Sequence, residues 1–274
     1  MTSSAIDLES CLAVASDAAR QAGALLRQHY GEEPQVNELK QYDIKLDLDV
    51  RCQDLITSEL LGAFPDHAIY GEEGMAGNQA SEFQWIVDPI DGTVNYYYGI
   101  PHFCVSIALR RTGTVVLGVI YDPMMDELFA ACDGREPSCN GRRISVSQRA
   151  ALAEAVITVG FSKSRESLEV GFKRFHDLAF KVRKTRMLGS AALALAYIAC
   201  GRLDAYVEEI INLWDIAAGQ FLVERAGGSI SLFAKDSIGE KFSMCAHNGR
   251  LPLDHIIAEM GAQAAVLQAE TPSV

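Results

Sequence analysis

The sequence is short of positive charge. Its 24 lysines and arginines stand against 36 aspartates and glutamates, a net charge of −12. That balance leaves no electrostatic footprint for nucleic acid or an anionic membrane. It also disfavours anionic substrates unless metal ions reverse the sign locally. The seven cysteines (11, 52, 104, 132, 139, 200 and 245) are odd in number, scattered, and form no Cys-x-x-Cys pair. They therefore indicate neither a disulfide framework nor a zinc knuckle, and thiols so placed fit a reducing cytoplasm. No apolar run approaches the roughly 18 residues of a membrane span. Asp7 and Glu9 stand where a secretory leader would carry basic residues. A soluble cytosolic protein is expected. The histidines form no cluster, and no glycine-rich phosphate loop is present.

What is present is enough apolar material, 49% of 274 residues, to bury a large core. The length suits one large unit or two intimately packed halves, with a soft boundary near residue 150. Over 5–29, apolar residues recur at three- and four-residue steps, which predicts an amphipathic helix. Residues 43–49 alternate polar and apolar, a strand period. From Asp49 the period turns helical and runs to Phe64, which places Asp49 at or near an N-cap. Short strands are predicted at 67–71 and 85–88, then at 103–110, 114–121 and 127–132, followed by a loop over 133–142. Beyond 150 the pattern alternates strand 155–160, helix 165–181, strand 183–187, helix 190–200, strand 203–207, helix 213–226 and a last strand 228–233. Such alternation argues for a layered α/β architecture. The stripe Leu193, Ala196, Tyr197 and Cys200 reads as core packing.

The most informative stretch is Trp85-Ile86-Val87-Asp88-Pro89-Ile90-Asp91-Gly92-Thr93. An apolar strand ends at Asp88, Pro89 biases Asp88 away from helix, and Gly92 permits a turn. Asp88 and Asp91 then lie at the mouth of a sheet, where two acids repel each other unless something positive lies between them. Mg²⁺, an oxygen-seeking ion commonly bound by one or two carboxylates with phosphate and water, answers that need. Glu72 and Glu73 repeat the strand-then-acid arrangement after Gly71. Asp215 follows Trp214 in the first turn of a predicted helix, where an acid gains from the helix dipole in any case. Glu208 closes an apolar strand, as an ordinary edge residue also would. Together Asp49, Glu72, Asp88, Asp91 and Asp215 each occupy a junction between elements, where open α/β sheets place ligands.

Hydrolysis of a phosphate monoester fits this inventory. Its uncatalysed rate is so slow that the acceleration required approaches ~10²¹. Divalent ions at about 4 Å spacing activate water, bridge phosphate oxygens and neutralise the leaving alkoxide. The backbone N–H groups of Gly92 and Thr93 would meet the phosphate. The Thr93 hydroxyl would accept a hydrogen bond from the attacking water while donating to a carboxylate such as Asp49.

On these residues the chain resembles the inositol monophosphatase family of Mg²⁺-dependent, lithium-sensitive phosphatases, over roughly residues 5 to 260. Gly71-Glu72-Glu73 resembles the family's Gly-Glu-Glu turn, whose first glutamate binds metal. Trp85 to Thr93 resembles its principal signature, in which both aspartates and the carbonyl between them, here Ile90, bind metal. Trp214 to Gly219 resembles its second signature, whose aspartate, here Asp215, binds metal and contacts substrate. The resemblance implies that Asp49 and Thr93 form the water-activating pair, and that Gly189, Ser190, Ala191 and Glu208 hold the hydroxylated ring of the substrate. It implies an α-β-α-β-α five-layer sandwich of the inositol monophosphatase/fructose-1,6-bisphosphatase type and a homodimer. It also implies two halves: residues 1–150, with most metal ligands, and residues 151–274, with substrate contacts and Asp215. Two or three Mg²⁺ ions per site follow.

The chain departs from the family three residues after Asp43, where a hydroxyl residue is usual and Leu46 stands. Lys45 and Asp47 are expected on the strand face of Asp43 and Asp49, with the lysine charge acting on the water-activating pair. The substrate expected is myo-inositol 1-phosphate. The alternatives within the family are fructose 1,6-bisphosphate, 3′-phosphoadenosine 5′-phosphate and histidinol phosphate, and no stacking surface for adenine stands out in the sequence. The segment Gly160-Phe161-Ser162-Lys163-Ser164-Arg165 is a candidate substrate contact, or an ordinary polar helix start. Outside catalysis, the alternative is a factor interacting with the transcription machinery, as one bacterial branch of the family does.

Overall fold

A computed structural model describes residues 6–40, 43–161, 165–236 and 240–270. In chain order the elements are α1 (Leu8–His29), β1 (Val36–Lys40), β2 (Asp43–Leu46), α2 (Asp47–Ala63), β3 (Ala68–Gly71), β4 (Gly74–Gly77), β5 (Phe83–Asp91) and α3 (Thr93–Tyr97). There follow β6 (Cys104–Arg111), β7 (Thr114–Asp122), β8 (Glu127–Cys132), β9 (Ser138–Cys139), β10 (Arg142–Arg143), β11 (Val156–Val159), α4 (Arg165–Ala179) and β12 (Lys184–Arg186). The chain closes with α5 (Ala191–Ala199), β13 (Ala205–Asn212), α6 (Leu213–Arg225), β14 (Ser229–Ala234), β15 (Lys241–His247) and α7 (Asp254–Glu270).

Hydropathy explains the layering. The α5 sequence, Ala-Ala-Leu-Ala-Leu-Ala-Tyr-Ile-Ala, has no polar face, and such a helix must be covered on all sides. It lies beside α6 between two sheets, in a core that includes Leu193, Leu195, Ile216 and Leu222. One sheet has eight strands in the order β10-β9-β8-β7-β6-β5-β3-β4, and the other has five in the order β12-β11-β13-β15-β14. The amphipathic helices α1 and α2 cover the far side of the larger sheet, burying Leu12, Leu26, Ile56 and Leu60 against Trp85 and Val119. On the far side of the smaller sheet lie α4 and α7, over Ile157, Val207 and Cys245. The result is helix, sheet, helix, sheet, helix: the five-layer α/β sandwich expected.

Several boundaries differ from the sequence expectation. The strand expected over 43–49 stops at Leu46, and α2 begins at Asp47. Alternation through Leu46 and Leu48 fits either element, and the Asp49 carboxylate settles it by accepting the Leu46 N–H at 2.6 Å. Asp49 is therefore the third residue of the helix, not its cap. The strand ending at Asp88 in sequence instead continues to Asp91. The strand expected over 203–207 extends to Asn212, so Glu208 lies within the central strand of its sheet and not at its end or edge. The strand expected last is followed by β15, which inserts antiparallel between β13 and β14, and then by α7. The stripe Leu193, Ala196, Tyr197 and Cys200 is core, as expected. No helix among the described residues is long and apolar enough to cross a membrane.

Candidate active site

The site begins with a parallel register. Gly71 at the end of β3 pairs with Val87 on β5, so the next residues, Glu72 and Asp88, emerge side by side. The Glu72 N–H donates to the Val87 carbonyl at 3.0 Å, fixing the turn. A residue that sequence reasoning overlooked holds this turn from below. Gln53 of α2 accepts from Glu73 N at 2.9 Å and donates to the Gly74 carbonyl at 3.1 Å. A methyl group at position 71 would collide with the Gln53 side chain, which explains the glycine.

Past Asp88 the β5–β6 ladder is interrupted. Asp88 pairs with Ser106 and Asp91 with Cys104, so Pro89 and Ile90 oppose the single residue Val105. This is a β-bulge, a device that re-aims side chains. Asp88 Oδ1 accepts the Ile90 N–H at 3.0 Å. Asp88 Oδ2 is buried and receives no hydrogen bond. Gly92 follows at φ 102°, a left-handed conformation that closes the turn into α3. A side chain there would press on the backbone at His102 and Phe103.

Asp215 arrives from α6, between the sheets. Its Oδ2 accepts the N–H of Asn212 at 3.0 Å and the Asn212 side chain at 3.1 Å. Asn212 was not among the sequence candidates, although an Asn three residues before an acid at a helix start is a readable capping pattern. Oxygen atoms of Glu72, Asp88 and Asp215 lie within 4.8 Å of one another.

The Thr93 hydroxyl lies 3.3 Å from Asp49 Oδ1. Its nearer acceptor, at 2.9 Å, is the Ile90 carbonyl. Lys45 has an acid partner beside this pair. Its ammonium is held at 3.0 Å by Glu73, and Asp47 lies at a helix start, 3.6 Å from Arg51.

Asp91 is engaged by the start of α5. Its oxygens accept from the Ser190 hydroxyl at 2.5 Å, Ala192 N at 2.7 Å and Ala191 N at 3.2 Å, with the Cys104 thiol at 3.7 Å. The N-terminus of α5 supplies these backbone donors, where an acid gains from the helix dipole. Glu208 is buried, and the Tyr206 hydroxyl donates to its Oε2. Gly160 packs on the Glu208 carboxylate so closely that a methyl group there would collide with it. Gly189 takes φ 80° against Asn95, whose side chain donates to the Leu188 carbonyl at 2.9 Å. Within the Gly160–Arg165 segment, Ser162, Lys163 and Ser164 lie outside the described residues.

Electrostatics report the same convergence. Burial is the largest cause raising Asp88 well above the carboxylate range, with Glu72, Asp91, Asp215 and Asp49 adding to it. Burial is the largest cause raising Asp215 to about 7, with Asp91 and Glu208 adding to it and the Asn212 N–H opposing it. Asp49 stands at about 7 through burial, opposed by the Leu46 N–H and reinforced by Glu72 and Glu73. Asp91 is raised by burial and relieved by its donors Ser190, Ala192 and Ala191. Carboxylates crowded in this way, with a buried oxygen that accepts nothing, are suited to a hard divalent cation.

The family model described as the inositol monophosphatase family matches residues 7–266. Inositol monophosphatase 1 of Solanum lycopersicum is 40% identical over 228 residues, covering 81% of this chain and 84% of that protein. Nus factor SuhB of Xylella fastidiosa is 42% identical over 220 residues, 79% of each chain. Among solved structures, inositol monophosphatase from Anabaena (Nostoc) sp. PCC 7120 superposes with a TM-score of 0.79 at 34% identity, covering 96% of this chain and 100% of that one.

Proposed function

The chain belongs to the inositol monophosphatase family and is a phosphoric monoester hydrolase; on that premise we propose that it is Mg²⁺-dependent and takes the phosphate ester of a small polyol or sugar, myo-inositol 1-phosphate first. The observation that carries this reading is that carboxylate oxygens of Glu72, Asp88 and Asp215 lie within 4.8 Å of one another, with Asp88 buried. These three, with the Ile90 carbonyl and Asp91 beside them, would hold the metal. When bound, Mg²⁺ supplies positive charge that neutralises the phosphate and the departing oxygen.

The remaining work falls to the chain. Asp49 and Thr93 orient a water toward phosphorus, Thr93 accepting its hydrogen bond, and a carboxyl titrating at about 7 is suited to take the proton. Gly92 and Thr93 offer backbone N–H groups to the phosphate. Glu208, its carboxylate fixed by Tyr206, accepts hydrogen bonds from vicinal hydroxyls, which favours a polyol over the other family substrates. Gly189, Ser190 and Ala191 border the same space. Residues 1–150 and 151–274 act as two halves, the first presenting most metal ligands and the second substrate contacts and Asp215. A homodimer belongs to this reading and is to be checked by light scattering; Tyr98, Ile100 and Met187 are large apolar side chains exposed in the single chain.

The test is phosphate release across inositol phosphates, fructose 1,6-bisphosphate, histidinol phosphate and 3′-phosphoadenosine 5′-phosphate, with and without Mg²⁺. Fastest release from inositol 1-phosphate, abolished by chelation, is expected; no release from any ester would overturn the reading. The relatives named Nus factor SuhB favour a second reading, a factor acting without catalysis. That role would survive Asp88→Asn or Asp215→Asn, whereas phosphate release would not.

A further inference from the structure

We propose that Ser190 is the positioning residue of Asp91, holding that carboxylate in the one orientation that leaves Oδ1 for a cation. The inference rests on the Mg²⁺-dependent reading above and goes beyond it, because Ser190 is there expected only to border the substrate.

A carboxylate offers about four lone-pair sites. Asp91 Oδ2 is engaged by the Ser190 hydroxyl at 2.5 Å, Ala192 N at 2.7 Å and the Cys104 thiol at 3.7 Å. Oδ1 receives a single, longer bond from Ala191 N at 3.2 Å. The two oxygens are thus unequal, and only Oδ1 retains capacity for a further partner.

The Ser190 hydroxyl is itself oriented. It caps α5 by accepting Leu193 N–H at 3.3 Å, so its own hydrogen is directed to Asp91. The relay runs from Leu193 N–H through Ser190 to Asp91 Oδ2. Ser190 is buried, and its one hydrogen is spent inside the protein. It is therefore poorly placed to serve a substrate hydroxyl as well. The dependence is mutual. The apolar α5 has no side chain of its own to satisfy its first N–H groups, and Asp91, reached across about a hundred residues of sequence, supplies the acceptor. The orientation of one ligand on the larger sheet is therefore set by a helix that precedes β13.

The test is isothermal titration calorimetry of Mg²⁺ into the full chain, comparing wild type with Ser190→Ala, Ser190→Gly and Ser190→Thr. Thermal unfolding without metal serves as the fold control. Ala and Gly are expected to weaken Mg²⁺ binding equally, by about tenfold, as losses behind a metal ligand do. Threonine is expected to restore it. The loss of phosphate release is expected to be recovered as Mg²⁺ is raised to saturation, and KM for inositol 1-phosphate is measured there. Glycine largely preserves a helix cap where alanine does not. A loss in Ser190→Ala that Ser190→Gly does not share would thus belong to helix capping and overturn the proposal. Unchanged Mg²⁺ affinity with a raised KM would make Ser190 a substrate contact and overturn it equally, leaving the phosphatase reading intact. A wild type that neither binds Mg²⁺ nor releases phosphate would remove both.

Discussion

Glu72 and Asp88 stand side by side because Gly71 pairs in parallel with Val87, and that one register brings a turn and a strand end into a common site. From the other side of the layer, Asp215 completes the group on α6. The three carboxylates come from three separate elements, so no local rearrangement relieves their mutual repulsion.

Asp88→Asn tests this arrangement directly. The amide keeps an oxygen for the Ile90 N–H but removes the charge of the oxygen that receives no hydrogen bond. Mg²⁺-dependent phosphate release is expected to fall at least ~100-fold, the upper end of losses seen even for groups behind a metal ligand. The metal-free protein should melt no lower than wild type, since a strongly perturbed buried acid is gone. Retention of full activity, measured by phosphate release against Mg²⁺ concentration, would remove Asp88 from the site.

Much of this was legible beforehand, and the reason is local chemistry. The periods of α1, α5 and α6 and the apolar run into Asp88 are short-range signals, and the junction acids follow from them. What stayed hidden depends on partners far apart in sequence. Asp91 accepts from Ser190, Lys45 pairs with Glu73, and Gln53 supports the turn after Glu72. None of these pairings leaves a trace in periodicity. The Lys241–His247 strand escaped for another reason. Its sequence, Lys-Phe-Ser-Met-Cys-Ala-His, lies between two core layers and shows no clean polar–apolar alternation.

The carboxyl cluster also sets a pH dependence. Asp49 and Asp215 titrate at about 7 and Asp88 well above its ordinary range, burial being the largest cause in each. A carboxyl whose pKa is raised by folding stabilises the fold while protonated. That contribution is complete below about pH 4 and is lost as pH rises through about 7. Mg²⁺ binds the deprotonated form and releases protons. The rise in Tm produced by Mg²⁺ over chelator should therefore be larger at about pH 8 than at about pH 6. An equal or smaller rise at the higher pH would contradict the assignment.

Lys45→Met separates the structural reading from the sequence expectation. If the ammonium acted on the water-activating pair, its removal would shift the pH–rate profile. The structure instead pairs it with Glu73 at a partly exposed site, where such bridges contribute about 0–1 kcal/mol. The substitution is expected to leave kcat within about threefold and the profile unmoved. A displaced acidic limb in a plot of kcat against pH would show that the Lys45 charge bears on Asp49, directly or through Glu73.

Tyr206→Phe probes the substrate end of the site. Tyr206 is buried, and its hydroxyl donates to Glu208 Oε2; Gly160, just past the end of β11, confines the same carboxylate. Phenylalanine keeps the ring volume and removes only the donor, leaving a buried acceptor short of a partner at a cost of about 1–3 kcal/mol. Part of that cost should appear as a lower Tm. The rest should appear as a carboxylate no longer fixed toward the substrate hydroxyls. KM for inositol 1-phosphate is then expected to rise about tenfold with kcat little changed, because Glu208 contacts no reacting atom and its contribution is uniform binding. Steady-state kinetics with inositol 1-phosphate beside a simple aryl phosphate reads the difference. The aryl ester has no vicinal hydroxyls, so its KM should not move. An equal loss on both esters would place Tyr206 in the general integrity of the site and remove Glu208 from recognition of the polyol.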